Sequence, residues 1–312
     1  MTMYLTENRV IHEITEFKAG VWIMLTNPTI EESQDVAEQF DIDMFDLRAA
    51  LDEEETSRIE LEDGYTLILV DIPAAEIRHD SKNYTTIPLG IVLADGCIIT
   101  VCSEETPILE NFINGRVREF STKKRLRFVY QILFRTVTLY QSSLRIIDKR
   151  RTEIEENVGD RTEEKDLIEL HELESTLVYF ATSLRANGVV LERLSRYKRI
   201  EQYPEDQELL DDVITENQQA IEMASIYRDI ISGTRDLLSA VINNRLNNVM
   251  KYLTSITLVM AIPTIISGIY GMNVASEWMP LSTTPHGFLI ICLIIIGVSI
   301  TVLLILWKKK ML

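Results

Sequence analysis

Asn247, Met250, Thr254, Thr257, Ala261, Thr264 and Gly268 recur at steps of three and four along the chain. That spacing follows one face of a helix, so amide, thioether, hydroxyl and small groups share a stripe. Ile256, Val259, Ile262, Ile266 and Ile269 fall elsewhere on the same segment. A stripe of small and polar groups on an apolar helix serves tight packing against a neighbouring helix. Where identical helices meet around an axis, the same stripe can line a pore whose hydroxyls and amides contact hydrated ions. The stripe alone is compatible with both. Pro263 removes one helix hydrogen bond within it and should bend the segment.

Other chemistry finds little support. The chain has no GxxxxGK[ST] phosphate loop and no HExxH, and His12, His79, His171 and His286 stand too far apart to suggest a ligand pair. No enzymatic activity and no ATP-driven pumping are expected, so ion movement would follow the electrochemical gradient, worth about 4.6 kcal/mol per 100 mV for a divalent cation. Cys97, Cys102 and Cys292 lack CxxC spacing, which suits a reducing compartment and no zinc cluster. A formal charge of −17 argues against nucleic acid and favours cations as partners, although an acidic excess also keeps a domain soluble.

The elements that would position the stripe follow from periodicity. Residues 252–273 and 288–307 contain no Asp, Glu, Lys or Arg. About 20 residues at 1.5 Å each cover the hydrocarbon core, so both read as membrane spans. Arg245 and Lys251 flank the first, Lys308 to Lys310 follow the second, and the loop 274–287 has no Lys or Arg, which places both termini in the cytoplasm and the loop outside. The amino terminus shows no secretory signal pattern.

Residues 1–117 alternate β-prone runs (Met3–Leu5, Val21–Leu25, Thr66–Ile72, Thr85–Val92, Cys97–Val101) with a helical stretch, Glu31–Leu51, opened by Thr29, and read as an α/β domain. Residues 118–204 read as a long helical hairpin split near Gly159-Asp160 and ended by Tyr203-Pro204. From Glu205 to Met272 one uninterrupted helix is expected, about 100 Å long, whose part 205–251 is a stalk and whose part 252–273 is the first span. Leu210, Val213, Asn217, Ala220, Ala224, Tyr227, Ile231, Thr234, Leu238 and Val241 keep a heptad-like spacing, which serves packing on the chain's own hairpin or on helices of other copies. Residues 308–312 form a basic tail. The fold class is thus α+β/α: an α/β domain, a helical hairpin, a stalk and two C-terminal membrane helices.

At the end of the polar stripe stands Tyr270-Gly271-Met272-Asn273. This motif, with two spans in the last 60 residues or so, the helix opening Asn247-Asn248-Val249-Met250-Lys251-Tyr252-Leu253-Thr254 and the terminal lysines, resembles the CorA family of Mg2+ and Co2+ transporters. The resemblance implies a funnel-shaped homopentamer in the cell membrane whose long helices line the pore. It assigns Gly271, Met272 and Asn273 to the ion-selecting entrance. There amide oxygens of Asn273 would bind the water shell of Mg2+, an ion that dehydrates reluctantly. It assigns Asn247, Met250 and Leu253 to an inner constriction that blocks ions by dewetting. Mg2+ is then cargo, no resident cofactor is expected, and the absence of His and Cys from the stripe disfavours Zn2+ or Ni2+ as the preferred ion. Glu277 could concentrate cations near the entrance, or simply be solvated.

In the regulatory site that the resemblance implies, Mg2+ bridges an Asp of the stalk and an acidic pair on a neighbour's α/β domain. The stalk Asp falls on Asp212, but Arg48-Ala49 occupies the place of the acidic pair. Asp46, or Asp52 and Glu53, could substitute, and Arg48 could itself pair with Asp212. Weak closure by cytoplasmic Mg2+ is the expectation.

Overall fold

Val21, Ile23 and Leu25 alternate along the chain with Trp22 and Met24, and alternation of that kind sends successive side chains to opposite faces of a strand. In the computed structural model, which describes residues 1–7, 10–78, 81–156, 164–196, 203–275, 278–282 and 284–309, these residues form β3 (Val21–Thr26). The strand lies inside a seven-stranded sheet. The others are β1 (Thr2–Glu7), β2 (Val10–Ile14), β4 (Arg58–Leu61), β5 (Tyr65–Arg78), β6 (Ser81–Ala94) and β7 (Cys97–Cys102), in the order β2-β1-β3-β7-β6-β5-β4. All neighbours are antiparallel except β3 and β7.

One face of the sheet takes α1 (Ile30–Phe40), α2 (Met44–Arg48) and a single 3-10 turn, Ala49–Leu51. Val21, Ile23, Leu25, Val36, Leu47, Leu67 and Val101 share the buried cluster there. A capping box starts α1: the Thr29 hydroxyl accepts from the Glu32 amide while Glu32 accepts from the Thr29 amide. The opposite face carries an aromatic group in which Trp22 meets Phe112, Phe120 and Phe128 edge-on. Phe112 comes from α3 (Pro107–Ile113), started by the Thr106 cap with proline at the first helical position, and Phe128 from α4 (Arg125–Glu156).

The stretch read as a hairpin contains α4 and α5 (Glu164–Ser195), and the expected split at Gly159-Asp160 lies outside the described residues. Next comes α6, Pro204–Tyr270, a single helix of 67 residues, and last α7, Gly287–Lys308. Met1–Asn157 with Glu163–Arg235 form one compact unit, and Asp236–Leu312 belongs to a second. Within the first unit, Leu210, Val213, Asn217, Ala220, Ala224, Ile231 and Thr234 of α6 are buried by the chain itself. Asn217 Nδ2 donates to the Leu184 carbonyl of α5 at 3.0 Å, Gln141 of α4 donates to Glu216 at 2.6 Å, and Arg235 bridges Glu174 of α5 at 2.6 Å. The heptad-like stripe therefore has its own hairpin as a partner.

In the second unit, two segments are long and apolar enough to cross a membrane: the apolar end of α6, and α7. Pro263 sits inside α6.

Candidate functional site

The motif Gly271-Met272-Asn273 begins where α6 stops. The Gly271 amide still donates to the Ser267 carbonyl at 2.9 Å, and the Met272 amide reaches only as far as Ile269, at 3.3 Å, so the helix tightens and then ends. A Cβ on Gly271 would lie 3.3 Å from the Ser267 carbonyl oxygen, tighter than an ordinary contact, so glycine here lets the turn close on the helix end. Met272 and Asn273 are exposed. Among the described residues the Asn273 side chain has no hydrogen-bond partner, which leaves its amide free to meet solvent or solute.

Asn247, Met250, Leu253, Thr254, Thr257, Thr264 and Gly268 are exposed along α6, and Ala261 is half-buried. At 100° per residue they fall within roughly one third of the helix circumference. Leu253, Thr254, Thr257 and Ala261, with Leu258, line a groove of about 440 Å3. Asn247 and Met250 lie one to two turns before it, and Thr264 and Gly268 continue beyond it. The Thr257 hydroxyl donates to the Leu253 carbonyl at 2.8 Å, and Thr264 to Met260 at 3.0 Å. No side chain in this stripe is acidic, basic or a histidine. Glu277 and Lys310 lie outside the described residues.

The residues singled out for regulation are in the first unit. Asp212 is exposed on α6 and forms no ion pair among the described residues. Ala49 is buried in the α1–α2 core, so its position does not present a side chain to solvent. Arg48 is half-buried and already engaged: its Nη1 donates to Ser33 Oγ at 2.9 Å and lies 3.4 Å and 3.5 Å from the Pro28 and Thr29 carbonyls. The guanidinium ties α2 back to the start of α1.

The fold also makes a grouping that spacing does not reveal. Asp46 on α2 comes together with Glu60 on β4 and Glu62 beyond it, their carboxylate oxygens within 4.8 Å of one another, a spacing that could share one cation. Tyr65 donates to Asp46 Oδ2 at 2.6 Å, and burial, with that hydrogen bond second, pushes its phenol well above the usual range. Asp46 was within view as a substitute ligand, but Glu60 and Glu62 reach it only through the pairing of β4 with β5.

A mixed sheet layered with helices, followed by one long helix and two apolar C-terminal segments with a Gly-Met-Asn turn between them, defines a membrane protein with a large soluble body. The family model of the CorA-like Mg2+ transporter protein matches residues 17–310, and the chain belongs to that family, which comprises transporters and not enzymes. It is 30% identical over 292 residues to the cobalt/magnesium transport protein CorA of Methanocaldococcus jannaschii, covering 90% of this chain and 88% of that one. It is 26% identical over 297 residues to the protein of the same description from Thermotoga maritima, covering 93% and 82%. The complete structure of the CorA magnesium transporter from M. jannaschii superposes with a TM-score of 0.78 at 26% identity, over 99% of this chain and 96% of that chain.

Proposed function

We propose that this protein carries Mg2+, and secondarily Co2+, across the cell membrane through a pore formed by five copies of the chain, passively and down the electrochemical gradient. Family membership supports transport of divalent cations. The observation that carries the finer reading is the position of Asn273: an amide without a partner among the described residues, in an exposed turn immediately beyond a span whose one face is small and polar. Five such amides around an axis would offer oxygen acceptors to the outward-pointing protons of a hydrated cation, which suits an ion that keeps its water. Gly271 and Met272 shape that entrance. Thr254, Thr257, Ala261, Thr264 and Gly268 line the path, and Asn247, Met250 and Leu253 form its inner constriction. The termini face the cytoplasm. Mg2+ is substrate, and no resident cofactor takes part.

Asp212 is assigned a regulatory role, weakened here because Arg48 and Ala49 carry no side-chain oxygen to offer a cation, and Arg48 is already held by Ser33.

The test is uptake by purified protein in liposomes under an imposed potential, with Mg2+, Co2+ and Zn2+ compared, together with native mass measurement in detergent. Uptake of Mg2+ by a pentamer is the expected result. A monomer, or no uptake of any of the three ions, overturns the pore. Zn2+ carried in preference to Mg2+ overturns the ion assignment.

A further inference from the structure

Tyr270 is the last residue of α6, and its hydroxyl donates to the Pro280 carbonyl at 2.7 Å, across ten residues of chain. Between these two points the chain passes through Gly271-Met272-Asn273. The acceptor residue has its φ fixed by the proline ring, which narrows the conformations open to the loop at that point. Beyond it, the segment is built from successive short turns: the Ser282 amide and hydroxyl both bond to the Met279 carbonyl, at 3.3 Å and 2.9 Å, and the Thr284 hydroxyl donates to Leu281 at 2.8 Å. The Gly287 amide reaches Thr284 at 3.1 Å, and a Cβ on Gly287 would strike the Leu281 carbonyl oxygen. A continuous set of contacts thus links the end of α6, through Pro280 and Leu281, to the first residue of α7.

We propose that Tyr270 is a positioning residue: its hydrogen bond to Pro280 straps the connecting loop to the end of α6 and so sets where Asn273 stands in the ion entrance. This rests on the entrance reading above and adds to it the element that holds the amide in place. Without the strap, the turn keeps only its local bonds, Gly271 to Ser267, Met272 to Ile269 and the Val274 amide to the Met272 carbonyl at 2.9 Å, none of which reaches the loop beyond residue 274. The Asn273 side chain then samples positions in which its oxygen no longer meets the hydration shell. The ring of Tyr270 could instead serve by apolar packing alone, a role that the phenyl ring of Phe keeps. Tyr270→Phe therefore separates the two, because it keeps the ring and removes only the hydroxyl.

The experiment measures Mg2+ uptake against Mg2+ concentration for wild type, Tyr270→Phe and Asn273→Ala in liposomes. Assembly is followed by native mass, and backbone amide exchange over residues 278–287 by mass spectrometry. Expected for Tyr270→Phe are normal assembly, KM for Mg2+ raised roughly three- to tenfold as for one lost hydrogen bond, a smaller change in maximal rate, and faster exchange in the loop. Unchanged KM, or raised KM with unchanged loop exchange, overturns the proposal, while loss of uptake in Asn273→Ala leaves the entrance reading standing. Failure of Tyr270→Phe to assemble overturns it as well, since the hydroxyl would then serve folding. Full uptake by Asn273→Ala overturns the entrance reading and the proposal with it.

Discussion

Asn187 of α5 closes the backbone of Asp71 with both ends of its amide: Oδ1 accepts from the Asp71 N–H at 2.9 Å and Nδ2 donates to the Asp71 carbonyl at 2.8 Å. The reason lies in the sheet. Strand β4 ends at Arg58, opposite Leu69, so β5 runs on past its last partner on that edge. Asp71 faces Pro88 on the other edge, and the side chain from α5 takes the place of the missing strand. The Tyr140 hydroxyl adds a third bond to the same carbonyl at 3.1 Å. Sheet and both helices of the hairpin are pinned at one residue.

Asn187→Ala is expected to destabilise the first unit by about 2–4 kcal/mol, because the Asp71 N–H is left without a partner in a site where Asn187 is only 4% exposed. A fall on the order of 5–10 °C in the unfolding temperature of the detergent-solubilised protein would register it. A shift under 1 °C would show that the pin is not needed.

The Asp71 carboxyl is raised above the usual carboxylate range by burial, with hydrogen bonds from Ser183 and Ser57 offsetting part of the effect. Its folded pKa therefore exceeds the unfolded one, and the protonated form favours the folded state. The contribution is fully present below about pH 3.9 and is lost as pH rises through the folded value. Asp71→Asn should raise the unfolding temperature at pH 7 and leave it nearly unchanged at pH 4. Equal shifts at both pH values would contradict the assignment.

Arg127 of α4 bonds Asp206, in the first turn of α6, at 3.0 Å and Glu119 at 2.8 Å, with the Arg127 side chain 14% and the Asp206 side chain 8% exposed. Arg127→Ala leaves a buried carboxylate unpaired and should cost about 3–5 kcal/mol. Arg127→Ala with Asp206→Ala should recover part of the loss. Denaturant unfolding of the three variants measures the coupling, and additive losses would deny it.

Gly271→Ala should reduce Mg2+ uptake at least tenfold while the protein still assembles, since the added Cβ presses on the Ser267 carbonyl at the turn before Asn273. Unaltered uptake would mean that the turn tolerates a side chain and that the glycine serves another purpose.

Uptake against internal Mg2+ tests regulation. Weak closure in the wild type and little change in Asp212→Ala are expected, with sharper closure in Arg48→Glu, the half-buried position at which a carboxylate could be supplied. Sharp wild-type closure that disappears in Asp212→Ala would show a working site built without Arg48-Ala49.

Much of this architecture is legible before any coordinates. Absence of charge marks the two apolar C-terminal segments, and the lack of breakers marks α4, α5 and α6. Residues Met3–Leu5, Val21–Leu25 and Cys97–Val101 lie within β1, β3 and β7. Strands β2 and β4 escape because both are short edge strands with no fully buried residue, so their apolar side chains do not set up a buried alternating pattern. The 14-residue lengths of β5 and β6 escape because the first run stops at Ile72, before Pro73, and the second begins only at Thr85, past the polar residues that open β6. Proline is tolerated at position 88 because the pairing of β6 with β7 stops at Leu89, so no ladder bond is lost there. Helix α3 is absent from the sequence reading, although Thr106-Pro107, a cap followed by proline, marks its start. The grouping of Asp46 with Glu60 and Glu62 was not legible, since it depends on strand register and not on spacing.

If the α6 stripe lines the ion path as proposed, its threonines bear on the sign of charge that can pass. Thr257 and Thr264 each have one hydroxyl proton, and each directs it to a carbonyl of its own helix. What they turn outward is lone pairs alone. Water around a cation points its protons away from the ion and finds acceptors in these two oxygens, whereas the oxygens of water around an anion find no donor in them. In the proposed pore those two turns would favour a hydrated cation over a hydrated anion by hydrogen-bond polarity, without a charged side chain.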